Sequence, residues 1–255
     1  MNDISNNAKI ALITGASRGL GRAMTLALAG RGWTVIGTYR SAEDEARSVA
    51  VEAKEVGGRA VMLRYDALES DTGQLAKTVE NTLQELNSDR LDALVNNAGA
   101  AYHATLIETD LDALDQMYRL HVRAPLELTQ ALEGLLGQDS RVLFVSSGLA
   151  RFALPGYGAY AAMKGAIEVV SRYAAKEFGG RGIRVNVIAP GAIETDFGGG
   201  AVRDNAHVNQ LVSDMTALGR PGLPQEIGDA VAAILSQDMR WMSGERIEIS
   251  GGQGI

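Results

Sequence analysis

The chain has no cysteine, which removes disulfide scaffolds, thiolate nucleophiles and thiolate-ligated metal sites together. Histidine is scarce too. His103, His121 and His207 are the only three, and none lies at the short spacing by which one helix presents two zinc ligands, so no metal is expected. Basic residues number 24 against 31 acidic, a net charge of −7, with no run of Lys or Arg. That balance lacks the cationic face that phosphate backbones and anionic lipids require, so neither nucleic acid nor a membrane surface is an expected partner. No apolar run approaches the ~18 residues of a membrane helix. The opening MNDISNNAK has neither the basic stretch nor the apolar core of a signal peptide. A soluble cytoplasmic protein is expected, with residues 1–8 as a flexible tail.

What is present is an ordinary globular composition, 46% apolar and 22% charged over 255 residues, a length that admits one large domain or two small ones. Patterning favours one. Short β-branched runs at Lys9–Thr14, Thr34–Thr38, Ala60–Arg64, Leu91–Val95, Arg141–Val145, Ile183–Ile188 and Ile247–Ile249 read as buried parallel strands. Between them, helical periodicity covers Leu20–Arg31, Glu43–Val56, Leu75–Leu86, Leu111–Leu136, Tyr157–Phe178 and Gln225–Leu235. Such alternation predicts a single α/β domain over residues 1–255: a doubly wound, Rossmann-type parallel sheet with helices on both faces and ligands at the carboxyl ends of the strands. Pro190 to Arg220 shows no clear element, and is either a surface loop or, over 194–222, a glycine-hinged substrate lid.

The first strand runs straight into TGASRGLG at 14–21. Gly15, Gly19 and Gly21 suit a sharp turn, close approach of a pyrophosphate and packing of the following helix, whose N-terminus faces the anion. The same stretch contains GASRG, the nucleophile-elbow pattern of hydrolases with Ser17 as nucleophile, but almost no sheet precedes it. About 20 residues after the first glycine, where an acid would hold a ribose 2′-hydroxyl, the window reads VIGTYRS. Arg40 there and Arg18 in the turn suit a 2′-phosphate, which favours NADP(H) over NAD. Ser41 and Asp44 also have capping-box spacing for the next helix. Further on, Tyr160 and Lys164 stand four apart in YAAMK, on one helix face, where a nearby cation lowers a phenol's pKa. Ser147, at the end of RVLFV, is a hydroxyl able to polarise a carbonyl.

In order and spacing, TGASRGLG at 14–21, NNAG at 96–99, Ser147, YAAMK at 160–164 and PGAIET at 190–195 resemble the short-chain dehydrogenase/reductase family over nearly the whole chain. The resemblance implies Tyr160 as general acid–base, Lys164 lowering its pKa and holding the nicotinamide ribose, and Ser147 on the substrate oxygen. It implies cofactor contacts from Gly15, Ser17, Arg18, Gly19, Leu20, Gly21, Arg40, Ser41, Asp66 and Ala67. Asn97, Ala98 and Gly99 would line the adenosine side, though NNAG also suits a strand-capping turn. Pro190, Gly191, Ile193 and Thr195 would hold the nicotinamide. Two positions depart from the pattern. His121 replaces the family's fourth catalytic residue, an asparagine, and is either part of the proton relay, titrating near neutral pH, or a packed imidazole. Ser250 stands where an aspartate is usual.

These readings together predict hydride transfer between NADP(H) and a small carbonyl or secondary alcohol. Leu149, Phe152, Leu154 and Tyr157 would form an apolar pocket, and the absence of basic residues in Glu133–Ser140 speaks against a carrier-linked substrate. Long helices apolar on more than one face predict a homotetramer. A non-enzymatic dinucleotide sensor on the same fold is the alternative.

Overall fold

The computed structural model describes residues 8–255, so seven of the eight residues of the expected tail lie outside the described residues. Seven strands form one parallel sheet in the order β3-β2-β1-β4-β5-β6-β7. They are β1 (Ile10–Ile13), β2 (Thr34–Tyr39), β3 (Arg59–Arg64), β4 (Leu91–Asn96), β5 (Leu136–Val145), β6 (Arg184–Pro190) and β7 (Arg246–Ile249). The strand order reverses between β1 and β4, and that switch point opens a crevice at the carboxyl ends of both strands. The helices are α1 (Gly19–Ala29), α2 (Glu43–Glu55), α3 (Thr72–Glu85), α4 (Leu111–Tyr118), α5 (Ala124–Ala131), α6 (Gly158–Phe178), α7 (Ala201–Asp204), α8 (Ala206–Asp214) and α9 (Pro224–Ile234).

The central strands are buried on both sides because two apolar cores sandwich the sheet. On one face Met24 and Leu28 of α1 and Ile227 and Val231 of α9 pack on Ile13, Val95 and Ile188. On the other, Val79 and Leu83 of α3, Leu128 of α5 and Ile167 of α6 pack on Leu12, Leu94, Phe144 and Val187. The seven strands of this one sheet therefore follow from the runs that predicted them.

Three local expectations fail. The predicted helix Leu111–Leu136 is broken into α4, a π-helical turn over Arg119–Arg123, and α5, and the chain is already in β5 at Leu136. Pro125 has no N–H to give the carbonyl of His121 four residues earlier, so an undisturbed α-helix through this point is not available. Ser41 does not cap α2: Ala42 is the N-cap residue, and no side chain bonds there. The stretch predicted to lack structure between Pro190 and Arg220 contains α7 and α8, with Asn205 capping α8 through the backbone N–H groups of His207 and Val208.

Candidate active site

The turn after β1 is shaped by what cannot fit. Gly15 and Gly19 have φ of +67° and +54°, a region only glycine enters at low cost. A Cβ on Gly21 would overlap the carbonyl of Gly15. Arg18 is the N-cap of α1, and its side chain makes no capping bond, so the first N–H groups of α1 keep their donors for an anion. This cradle fits the pyrophosphate of a dinucleotide. Thr14, which sequence reading left without a role, braces the cradle: its Oγ1 accepts from the N–H groups of both Asn97 and Ala98 at 2.9 Å. Asn97 returns the brace, donating from Nδ2 to the carbonyls of Thr14 (2.8 Å) and Gly15 (3.2 Å). Its amide is spent on the turn. Of the expected NNAG contacts, Ala98 and Gly99 are left beside the cradle. Ser17 is buried in this turn, remote in the chain from all three histidines, and Leu20 packs on the core.

At the carboxyl ends of β2 and β3 a cavity of 530 Å³ is lined by Arg40, Ser41, Arg64, Asp66, Glu69 and Ser70. Arg40, Ser41 and Asp66 were expected there. Arg64 was not, although the β2–β3 register sets it beside Tyr39, next to Arg40. A strand-end arginine opposite a second one was the available signal. One oxygen of Asp66 accepts from Leu68 N–H at 2.9 Å. Ala67 packs against the core.

The three side chains expected to carry the reaction converge at the end of β5. Ser147 Oγ accepts from Leu149 N–H at 3.2 Å and stands close enough to the Tyr160 phenol to act on its ionisation. Lys164 is buried and its ammonium donates to the Val145 carbonyl at 2.8 Å; its Nζ lies 5.6 Å from the centre of the Tyr160 ring. Burial lowers the Lys164 pKa to about 7. Burial raises that of Tyr160, a tendency the neighbouring Ser147 hydroxyl opposes. The expected lowering of the phenol by Lys164 is therefore corrected: desolvation sets the direction, and the one influence that opposes it comes from Ser147.

Behind these residues lies a polar brace that the sequence reading did not include. Glu168 follows Lys164 by four on α6, as Lys164 follows Tyr160, and accepts from Ser146 Oγ at 2.6 Å and from Arg246 Nε at 2.7 Å. Arg246 also donates to the Ser147 carbonyl at 3.2 Å and pairs with Glu248. The backbone carrying Ser147 is thereby tied to β7.

His121 sits in the π-helical turn, buried, with Nε2 2.9 Å from the Ala100 carbonyl and Nδ1 without a partner. A donor at Nε2 and a bare Nδ1 describe a neutral ring. Burial, then the charge of Lys164, lowers its pKa to about 3, against a smaller opposing effect of the Ala100 bond. The expectation of a titration near neutral pH is therefore corrected: no pH between 5 and 8 charges this imidazole. Its ring also fills the space a Cβ on Gly99 would take.

The remaining expected contacts come from the loop after β6. Pro190 ends that strand, and Gly191 N–H donates to the Ile249 carbonyl at 3.0 Å. Ile193 bridges to Gly222. Thr195 is buried, and its Cγ2 lies 3.8 Å from where a Cβ on Gly19 would stand, so this loop closes over the glycine turn. Among the described residues no cluster of three His, Asp or Glu side chains could hold a metal ion, and no helix is long and apolar enough to cross a membrane.

A family model described as enoyl-(acyl carrier protein) reductase matches residues 15–253. The hydroxynaphthalene reductase-like protein Arp2 of Metarhizium majus is 31% identical over 96% of this chain and 94% of its own length. Among solved structures, the promiscuous reductase LugOII, which catalyses keto-reduction at C1 during lugdunomycin biosynthesis, is 34% identical with a TM-score of 0.92, covering 98% of this chain and all (100%) of its own. The angucycline C-6 ketoreductase LanV, solved with bound NADP, is 34% identical with a TM-score of 0.90, covering 96% of this chain and 95% of its own.

Proposed function

The chain belongs to the short-chain dehydrogenase/reductase family, and from that premise we propose that it is an NADP(H)-dependent carbonyl reductase with Tyr160 as its proton donor. The observation that carries this reading is the buried Tyr160–Lys164 pair with Ser147 beside it, under the same loop that closes over the glycine cradle. When bound, the nicotinamide supplies the hydride. Ser147 holds the substrate oxygen, and Tyr160 gives that oxygen its proton as charge develops on it. Lys164, the cation nearest the phenol, favours the phenolate left behind, offsetting part of the cost of burying that charge.

Gly15, Gly19 and Gly21 hold the pyrophosphate, with the first turn of α1 behind it. Arg18, Arg40 and Arg64 recognise the 2′-phosphate, and Ser41 and Asp66 complete the adenosine end. LanV, with NADP bound, supports the choice of NADP(H). His121 acts as packing for Gly99 and Tyr160, while its main-chain carbonyl receives no N–H from Pro125. The reading extends to a cytoplasmic homotetramer, since α5 and α6 leave Leu126, Val169 and Tyr173 exposed around an apolar groove of 460 Å³ that a second copy would cover; light scattering giving the 27.0 kDa of one chain would refute that part.

Oxidation of NADPH, followed by its absorbance over a panel of ketones, tests the enzymatic reading. We expect ketone-dependent oxidation with NADPH and at least tenfold weaker use of NADH, in line with about 1.5–3 kcal/mol for a lost charge-assisted contact. Tight NADPH binding with no ketone turned over would mean a sensor instead.

A further inference from the structure

Aromatic groups surround the Tyr160 phenol on several sides. His121 meets its ring edge-on at a centroid separation of 5.4 Å. Phe197 lies 6.0 Å away, tilted by 56°, and is 47% exposed although it is a large apolar side chain directly beside the reacting group. Tyr157 is near enough to act on the phenol's ionisation. Its ring carries that of His103 at 4.9 Å in a T-shaped pair.

That pair is held in place by backbone. Gly156 has φ of +88°, and a Cβ there would occupy the position of the His103 imidazole. Ala104 N–H donates to the Gly156 carbonyl at 2.8 Å, so the loops after β4 and β5 are fixed to each other. Ala101 in turn lies 3.7 Å from the Cβ position of Gly198, the residue after Phe197. Three loops thus bring Phe197 and the His103–Tyr157 pair to one side of Ser147 and Tyr160. Their outer edge is apolar as well, with Leu106, Ile107, Leu154 and Leu218 exposed.

Charge is the second observation. Segments 97–110, 146–157 and 191–222 contain three arginines and no lysine, and each arginine is already paired: Arg151 with Glu248, Arg203 with Asp196 and Asp204, Arg220 with Glu226. A carboxylated substrate, or a thioester delivered by an acidic carrier protein, would meet no free cation here.

We propose that the substrate is an uncharged fused-ring aromatic ketone, one ring face against Phe197 and its edge against the Tyr157–His103 pair, with the carbonyl between Ser147 and Tyr160. This rests on the carbonyl-reductase reading above. In the reaction the hydride of NADPH brings its electron pair to the carbonyl carbon as the new C–H bond and leaves NADP+, the carbonyl π pair moves to oxygen and takes the Tyr160 proton as the new O–H bond, and the phenolate regains a proton from solvent. Stacked and edge-on aromatic contacts add attraction beyond area burial, a discrimination that an aliphatic chain of equal size does not receive.

The test compares kcat/KM for 2-tetralone, for 2-decanone, which has the same number of carbons, and for acetoacetyl-CoA as the charged thioester. We expect 2-tetralone to be preferred over 2-decanone by about tenfold or more and acetoacetyl-CoA to be the poorest. Phe197→Leu keeps the bulk and removes the ring, and should lower the tetralone-to-decanone ratio about fivefold. Equal use of both ketones, a preference for the thioester, or an unchanged ratio in Phe197→Leu would overturn the assignment while leaving the reductase reading in place. NADPH binding without turnover of any of the three would overturn both.

Discussion

Two glycine-rich segments face each other across the site and use glycine for different reasons. In the turn after β1, positive φ and crowding act together: a Cβ on Gly15 would lie 3.1 Å from the Ala98 backbone, and one on Gly21 would overlap the Gly15 carbonyl. In the loop after β6, Gly198, Gly199 and Gly200 are three consecutive residues at φ of +62°, +73° and +77°, yet nothing lies within 4 Å of a Cβ on Gly199. The first segment is a packed cradle whose shape is fixed by its neighbours. The second is crowded at Gly200, where a Cβ would meet Asp204 and Arg203, but open around Gly199, which suits a segment beside which a substrate would have to pass. Glycine content therefore marks both regions without distinguishing a mould from a hinge.

Gly21→Ala should have the largest effect. Overpacking against backbone costs more than the 1–3 kcal/mol typical of side-chain crowding, so we expect a marked fall in Tm together with loss of measurable NADPH affinity; a variant that binds NADPH within tenfold of wild type would break the contrast. Next come the cations beside the cradle. Arg40→Ala and Arg64→Ala should each weaken NADPH about tenfold and leave NADH unchanged, read by fluorescence titration. An Arg64→Ala protein with full NADPH preference would remove that residue from the cofactor site.

His121 lies under the middle of the site and sharpens the comparison through pH. The unfolded chain takes up a proton on this side chain below about its ordinary 6.5, whereas the folded protein resists protonation down to about 3. Its contribution to stability is therefore complete above pH 6.5 and is lost as pH falls from 6.5 toward 3. Urea titrations at pH 7 and pH 4 should show a smaller acid loss in His121→Asn than in wild type, while the two kcat profiles superimpose between pH 5 and 8. Profiles that diverge in that range would return His121 to the proton relay. Gly199→Ala should have the smallest effect, about 1–2 kcal/mol from the left-handed backbone alone, with NADPH affinity unchanged. A loss as large as that of Gly21→Ala would mean that this loop is packed as tightly as the cradle.

The strands were legible because burial on both faces leaves continuous β-branched runs, and the cradle because its glycines follow the first of them. The break at residues 119–123 was less so: the periodicity of 111–136 is helical throughout, and only Pro125 signals that the His121 carbonyl loses its partner. Helices α7 and α8 were missed since they bury no residue fully and so carry little of the core pattern that marks the others. Glu168 and Arg246 were invisible for another reason. Their pairing joins α6 to β7 across 78 residues of sequence, and no local spacing reports such a contact. Thr14, by contrast, stood inside a motif already noticed, but a hydroxyl that accepts two backbone donors looks no different in sequence from one that meets water.

The account depends most on Tyr160 as proton donor at a cofactor site that does not need it for binding. The most direct measurement is a pair of assays on Tyr160→Phe, an NADPH titration and ketone-dependent NADPH oxidation under the same conditions. The account predicts a dissociation constant within a few fold of wild type and turnover reduced by about 10²–10⁴. Turnover above a tenth of wild type would show that another group delivers the proton.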